Sequence, residues 1–184
     1  MNRAGERADV ILLTGPAGAG KTEAAHAWAS TRPYPTAHVS LDDVRRLLKS
    51  GYVNPEDGWT PEVAEQLDLA RSIVADMARR YAERRTRVIV DDAIFPSWEA
   101  AGEERWRKAL QGVTYVLLVV LPSFEAVCER NRLRDGQRRL REETLRTVYE
   151  DMRGWRDRGV PVIDNTGLTV SETAALIERS LGGT

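Results

Sequence analysis

One run of eight residues carries the clearest chemistry in this chain. Gly15-Pro16-Ala17-Gly18-Ala19-Gly20-Lys21-Thr22 reads G-x-x-x-x-G-K-[ST]. The apolar run Val10-Ile11-Leu12-Leu13-Thr14 precedes it, and the helix-prone stretch Glu23-Ala24-Ala25-His26-Ala27-Trp28-Ala29 follows. A strand before and a helix after are the setting in which this pattern holds phosphate. Glycines let successive backbone N–H groups turn toward one anion, so Gly15, Pro16, Ala17, Gly18, Ala19 and Gly20 form the expected cradle. The helix that follows aims its positive end at the same anion. Lys21 can reach the β- and γ-phosphates, and the Thr22 hydroxyl can ligate Mg²⁺. The bland alternative is a glycine-rich turn that binds nothing. With glycine near ~7% of residues, a chance match in a chain of this length is roughly a one-in-a-hundred event, and the strand and helix lower it further. The expected ligands are ATP and Mg²⁺.

Two acidic pairs stand where they can act on that phosphate. Asp42-Asp43-Val44-Arg45 opens a helix after the second strand. A carboxylate there can accept the proton of a hydroxyl as it attacks the γ-phosphate. Asp42 is preferred to Asp43, and Arg45, three residues on, shares its helix face and can hold an acceptor or transferring phosphate. The alternative is a helix-capping Asp42 and a solvated Arg45. Asp91-Asp92 ends the run Val88-Ile89-Val90. An acid at that place commonly orients Mg²⁺ or its waters, and Asp92 is the acid expected to serve the metal beside Thr22; capping a turn is the alternative. ATP-hydrolysing motors place Glu after the first acid to activate water. Asp92 stands there instead, which leans toward transfer to a bound hydroxyl.

Ten arginines fall between Arg130 and Arg158, six of them within 129–141. Gly136 and its polar neighbours suggest a helix that breaks and resumes, so 130–141 is read as an arginine-bearing lid. Closure would exclude water and bring positive charge to the γ-phosphate. Most charge runs are solvated faces. The expected ligand-facing pair is Arg130, against adenine, and Arg134, against phosphate. Tyr52 and Trp59, on the loop before a long helix, can line an acceptor pocket or simply pack.

These residues need a scaffold. Strands are expected at 8–14, 37–41, 87–91, 114–121 and 160–164, rich in Val, Ile and Leu with little alternation. That is the pattern of strands covered on both faces. Helices are expected at 21–31, 42–50, 60–84, 98–110, 123–133, 142–157 and 171–181, with starts marked by Thr60-Pro61, Ser97, Ser123 and Ser171. Alternating strand and helix predicts an α/β fold with a parallel sheet, and ligands then collect beyond the carboxyl ends of the strands. The 184 residues suit one domain over 1–184, with 1–8 as a polar tail. A net charge of −1 supplies no global pull on nucleic acid or membrane. The single cysteine, Cys128, excludes an internal disulfide and suits a reducing cytoplasm. The longest apolar run, Val116 to Leu121, is too short to span a bilayer.

With these motifs assembled, the chain resembles the small P-loop kinases, in particular the group of polynucleotide 5′-kinase domains, zeta-toxin-type kinases and chloramphenicol phosphotransferase, from about Val10 to Leu181. The resemblance implies a three-layer P-loop sandwich whose five-stranded parallel sheet runs 2-3-1-4-5. It also implies ATP-dependent phosphorylation of a hydroxyl. In this sequence it matches the phosphate loop to Gly15–Thr22, the general base to Asp42, the acceptor-side arginine to Arg45, the second acid to Asp92 and the lid arginines to Arg130 and Arg134. Two positions depart from the members that act on polynucleotides. Ala93-Ile94 follows the second acid where Thr-Asn is usual, and Asp135 separates Arg134 from Gly136. Both lean toward a small-molecule acceptor such as a nucleoside, sugar or antibiotic, with a nucleic-acid 5′ end as the alternative. A nucleotide switch or plain ATPase is the reading from another class. Neither an Asn-Lys-x-Asp nor a Leu-Ser-Gly-Gly motif is present in the sequence.

Overall fold

The computed structural model describes residues 8–134 and 139–182. Strands β1 (Val10–Thr14), β2 (Thr36–Ser40), β3 (Arg87–Asp91), β4 (Tyr115–Val120) and β5 (Val162–Ile163) form one sheet in the order β2-β3-β1-β4-β5. Every pairing is parallel, with Leu13 opposite Asp91 and Ser40 opposite that same residue on the other side. The expected strand order and parallel pairing therefore hold.

The unbroken apolar strands are explained by covering both faces. Val10, Leu12, Val88, Val90, Leu117 and Val119 point to one core, shared with Val63 and Val74 of α3 (Pro61–Glu83) and Trp106 of α4 (Glu103–Ala109). Val127 of α5 (Phe124–Arg132) and Leu145 of α6 (Glu142–Arg153) join them. The alternate residues Ile11, Leu13, Ile89, Leu118 and Val120 point to the other core, against Trp28 of α1 (Lys21–Ser30) and Ile177 of α7 (Val170–Gly182). The period of two along each strand divides the side chains between these layers. Cys128 packs against the first core.

Two of the expected helix starts hold. The Thr60 hydroxyl accepts from Val63 N at 3.3 Å with Pro61 behind it, and the Ser123 hydroxyl accepts from Ala126 N at 3.2 Å. Two starts differ. The last helix is capped by Thr169 rather than Ser171: Thr169 Oγ1 accepts from Glu172 N at 3.2 Å, while Glu172 accepts from Thr169 N at 2.8 Å. That reciprocal pair is a capping box. The helix expected from 98 begins only at Glu103, after a 3₁₀ turn over Glu99–Ala101. There the chain folds back so that Phe95 N bonds Ala101 O at 2.9 Å, which uses groups a helix would need.

The helix expected over 42–50 is also cut short. Helix α2 covers only Leu41–Arg45. Beyond it Leu47 and Leu48 are exposed, so further turns would bury no apolar face and gain little. None of the helices in the described residues is long and apolar enough to cross a membrane.

Candidate active site

The loop between β1 and α1 is shaped by its glycines. Gly15 has φ 150°, and a Cβ built there would lie 2.1 Å from the Val120 carbonyl oxygen. Gly20, at φ 85°, is the left-handed residue that turns the chain into α1. Lys21 is the first residue of that helix, and its Nζ donates to Gly15 O at 2.8 Å and Pro16 O at 3.0 Å. The loop is thus curled around its own lysine. Burial lowers the Lys21 pKa below the ordinary lysine value, Asp91 and Asp42 pull it back up, and Arg134 lowers it again. Gly15→Ala is expected to destabilise the protein by about 1–3 kcal/mol, because the new methyl has no room against β4. Urea denaturation measures that loss, and nucleotide titration reads the accompanying displacement of the loop. An unchanged midpoint and affinity would contradict this geometry.

The acids at the end of β3 face opposite ways. Asp91 Oδ1 accepts the Thr22 hydroxyl at 2.8 Å, and Asp91 Oδ2 lies 2.7 Å from His38 Nε2. Asp92 points through the sheet to the α3–α4 side. Its Oδ1 accepts from Ala93 N at 2.7 Å, its Oδ2 accepts from Trp106 Nε1 at 2.8 Å, and Arg71 Nε lies 4.0 Å away. Burial raises the Asp92 pKa, with Arg71 and the Trp106 hydrogen bond acting against it. The carboxylate joined to the phosphate-loop threonine is therefore Asp91, whereas Asp92, the residue matched to the metal, is held by an indole and a buried guanidinium. The pleat explains this: Ile89 and Asp91 share the α1 face, and Val90 and Asp92 share the other.

Asp42 opens α2 with an exposed side chain and lines the same cleft as Lys21, Thr22, Asp91 and Asp92. Its charge reaches both Lys21 and Asp92, raising the pKa of each. Asp43 lies outside that lining and pairs with Arg46 at 4.0 Å. Arg45 is buried and does not line the cleft. Its Nη2 donates to Val53 O at 3.3 Å, its guanidinium lies over the Tyr52 ring at 5.3 Å, and its Nη1 is 3.9 Å from Asp42. Arg45 therefore fastens the loop after α2 from behind, while Arg46 takes the cleft-lining place expected of Arg45. Gln66 holds the same loop, accepting from Val53 N at 3.0 Å and donating to Gly51 O at 2.7 Å. Tyr52 is thus occupied by Arg45, and Trp59 packs edge-on against Trp98; neither lines the cleft.

Arg130 joins three segments. Its Nη1 donates to Ala19 O at 3.3 Å and its Nη2 to Asn165 O at 3.0 Å. Asn165 Nδ2 also donates to Ala19 O, at 3.0 Å, so the outer arm of the phosphate loop is tied to the end of β5. No motif singles out Asn165, although the strand-end rule marks its segment. Arg134 lines the cleft just after α5. Positions 135–138 of the arginine-rich lid lie outside the described residues. The two sides of that stretch are clasped by Asn131, whose Nδ2 donates to Leu140 O at 2.9 Å and whose Oδ1 accepts from Leu140 N at 3.1 Å. The whole cleft has a volume of about 580 Å³, polar around Lys21 and the acids and apolar at Leu133, Leu140, Leu168 and Val170. That division suits a ligand with an anionic tail and a flat apolar head.

A divalent cation fits the Thr22–Asp91 pair, which offers hard oxygen donors at the mouth of the phosphate cradle. Among the described residues no group of three or more His, Cys, Asp or Glu side chains is placed to hold a metal. Mg²⁺ held through few protein oxygens completes its shell with phosphate oxygens and water, and Thr22 and Asp91 match that mode.

A protein-family model, AAA_33, described as an AAA domain, matches residues 10–159. Solved structures with the same fold include the Deinococcus radiodurans tunicamycin resistance protein, at 24% identity and TM-score 0.68, with 96% of each chain covered. The gluconokinase of Sinorhizobium meliloti 1021 is 18% identical over 97% of this chain and 94% of its own, with TM-score 0.63. The shikimate kinase of Acinetobacter baumannii, solved with shikimate, is 15% identical over 97% and 95%, with TM-score 0.62. At these identities the likeness is one of fold. No curated protein matches the sequence.

Proposed function

The chain belongs to the AAA_33 family of AAA domains, and on that premise we propose that it is a small P-loop kinase moving the γ-phosphate of ATP to a hydroxyl of a small molecule. One observation carries this reading. Asp42, an exposed carboxylate 3.9 Å from Arg45 Nη1, shares one cleft with Lys21, Thr22 and Asp91. A carboxylate at that place can take the proton of an incoming alcohol, which is what a transferase needs beside the γ-phosphate.

Backbone N–H groups of Gly18, Gly20 and Lys21, together with the Lys21 ammonium, hold the β- and γ-phosphates. Asp42 accepts the proton of the acceptor hydroxyl while the hydroxyl oxygen bonds to the γ-phosphorus. The bond from that phosphorus to the β–γ bridging oxygen breaks, and ADP leaves with the electron pair. Arg134 and Lys21 offset the charge that spreads over the transferring oxygens. Thr22 and Asp91 would hold Mg²⁺, which when bound neutralises charge between the β- and γ-phosphates. Arg130 borders the nucleoside, and Arg45 supports Asp42 from behind. The folds of shikimate kinase and gluconokinase, proteins named for small hydroxylated acceptors, support a small-molecule acceptor. Asp92 keeps its place as a cleft-lining acid that shapes the acceptor side.

The test is γ-labelled ATP incubated with separate panels of nucleosides, sugars, aminoglycoside-like and phenicol-like compounds, and 5′-hydroxyl oligonucleotides. The expected result is label and a mass gain of one phosphate on a small molecule, with ADP as coproduct. Label on oligonucleotides alone would establish the polynucleotide alternative. ATP turnover indifferent to every acceptor would reduce the protein to an ATPase.

A further inference from the structure

His38 takes no part in the scheme above, yet it touches its centre. It stands two residues before the end of β2, and the pleat turns it, with Ser40, to the α1 side of the sheet. Its Nε2 lies 2.7 Å from Asp91 Oδ2. An ionised carboxylate only accepts, so the proton sits on Nε2 and the ring donates. The other oxygen, Asp91 Oδ1, takes the Thr22 hydroxyl at 2.8 Å, with the Ser40 hydroxyl at 3.5 Å. The far side of the His38 ring meets His26, edge-on with centroids 6.2 Å apart. His26 is one helical turn beyond Thr22 on α1. The imidazole is thus held between α1 and β3, and its side chain is only 14% exposed.

A carboxylate on a strand end rotates freely about its last torsion, which is broad and nearly two-fold. Donors placed on opposite oxygens remove that freedom. We propose that His38 is a positioning residue for the cation site: by pinning Oδ2, it turns Oδ1 of Asp91 toward Thr22 and the divalent cation that accompanies the nucleotide. Outer-shell donors of this kind orient the ligands they touch, and their loss commonly costs about 10–100-fold in metal affinity. The inference rests on the assignment of Thr22 and Asp91 to Mg²⁺ and is independent of the acceptor.

The test needs no turnover. Calorimetry gives the affinity for ADP with Mg²⁺ and with EDTA, and the ratio is the gain the cation supplies. His38→Phe keeps a flat ring beside His26 and removes the donor. His38→Gln keeps a donor at similar reach. The Phe variant is expected to lose about 10–100-fold of the Mg²⁺-dependent gain with its metal-free ADP affinity unchanged. The Gln variant is expected to retain most of the gain. His38→Ala serves the same purpose as His38→Phe if the larger ring disturbs folding, checked by circular dichroism. A full Mg²⁺ gain in the donor-less variants would overturn the role of His38 alone, as would an equal loss with and without metal. A wild-type protein that binds ADP with no gain from Mg²⁺ would instead overturn the Thr22–Asp91 assignment.

Discussion

Lys21→Ala is expected to bring phosphoryl transfer down to background. The Nζ stands over the phosphate cradle, fixed by the Gly15 and Pro16 carbonyls at 2.8 and 3.0 Å. A charge already in place costs no reorganisation when the γ-phosphate accumulates negative charge, and in a cleft partly shielded from water it acts strongly. Loss of one such fixed donor typically costs about 10²–10³-fold in rate, and here the donor carries a full charge. ATP affinity falls as well, since the same ammonium serves the bound triphosphate. The alanine also leaves two loop carbonyls without their donor, so circular dichroism must accompany the labelled-ATP assay. A folded variant with normal turnover would remove the phosphate-loop assignment on which every other role depends.

Asp42→Asn should separate chemistry from binding. The two side chains are nearly the same shape, so the substituted amide would fill the same place in the cleft. That amide cannot take a proton. The expected outcome is a fall in kcat of roughly 10²–10⁴-fold, the usual scale of general base catalysis, with ATP affinity almost unchanged. Parallel kcat and calorimetric measurements decide the matter. If nucleotide affinity dropped and kcat stayed, Asp42 would belong with the residues that shape the cleft. Asp43→Asn supplies the contrast, since Asp43 lies outside the cleft lining and pairs with Arg46. That variant is expected to stay near wild-type rates.

The choices that sequence reasoning leaves open, or makes differently, share one cause. Asp91 and Asp92 are adjacent and chemically alike, and a strand sends neighbours to opposite faces. Only the packing of α1 on one face and of α3 and α4 on the other shows that Asp91 meets Thr22 while Asp92 meets Trp106. Arg45 and Arg46 pose the same problem on a helix. Both follow Asp42 within one turn, and the early end of α2 leaves Arg45, its last residue, buried against the following loop and Arg46 on the cleft. His38 and Asn165 carry no motif. Their contacts are with residues 53 and 146 positions away in the chain, Asp91 and Ala19.

Local patterns were enough where the physics is local. The glycine spacing, the lysine that opens α1, the Thr60 and Ser123 caps and the unbroken apolar strands each follow from interactions within a few residues, and together they imply a parallel sheet with its phosphate loop at the end of β1. The tertiary structure alone decided which acid meets the Thr22 hydroxyl, which arginine borders the cleft and which side chains brace the loop from behind. Those outcomes depend on which face of each strand and helix is covered, and that is settled by the packing of segments far apart in the chain.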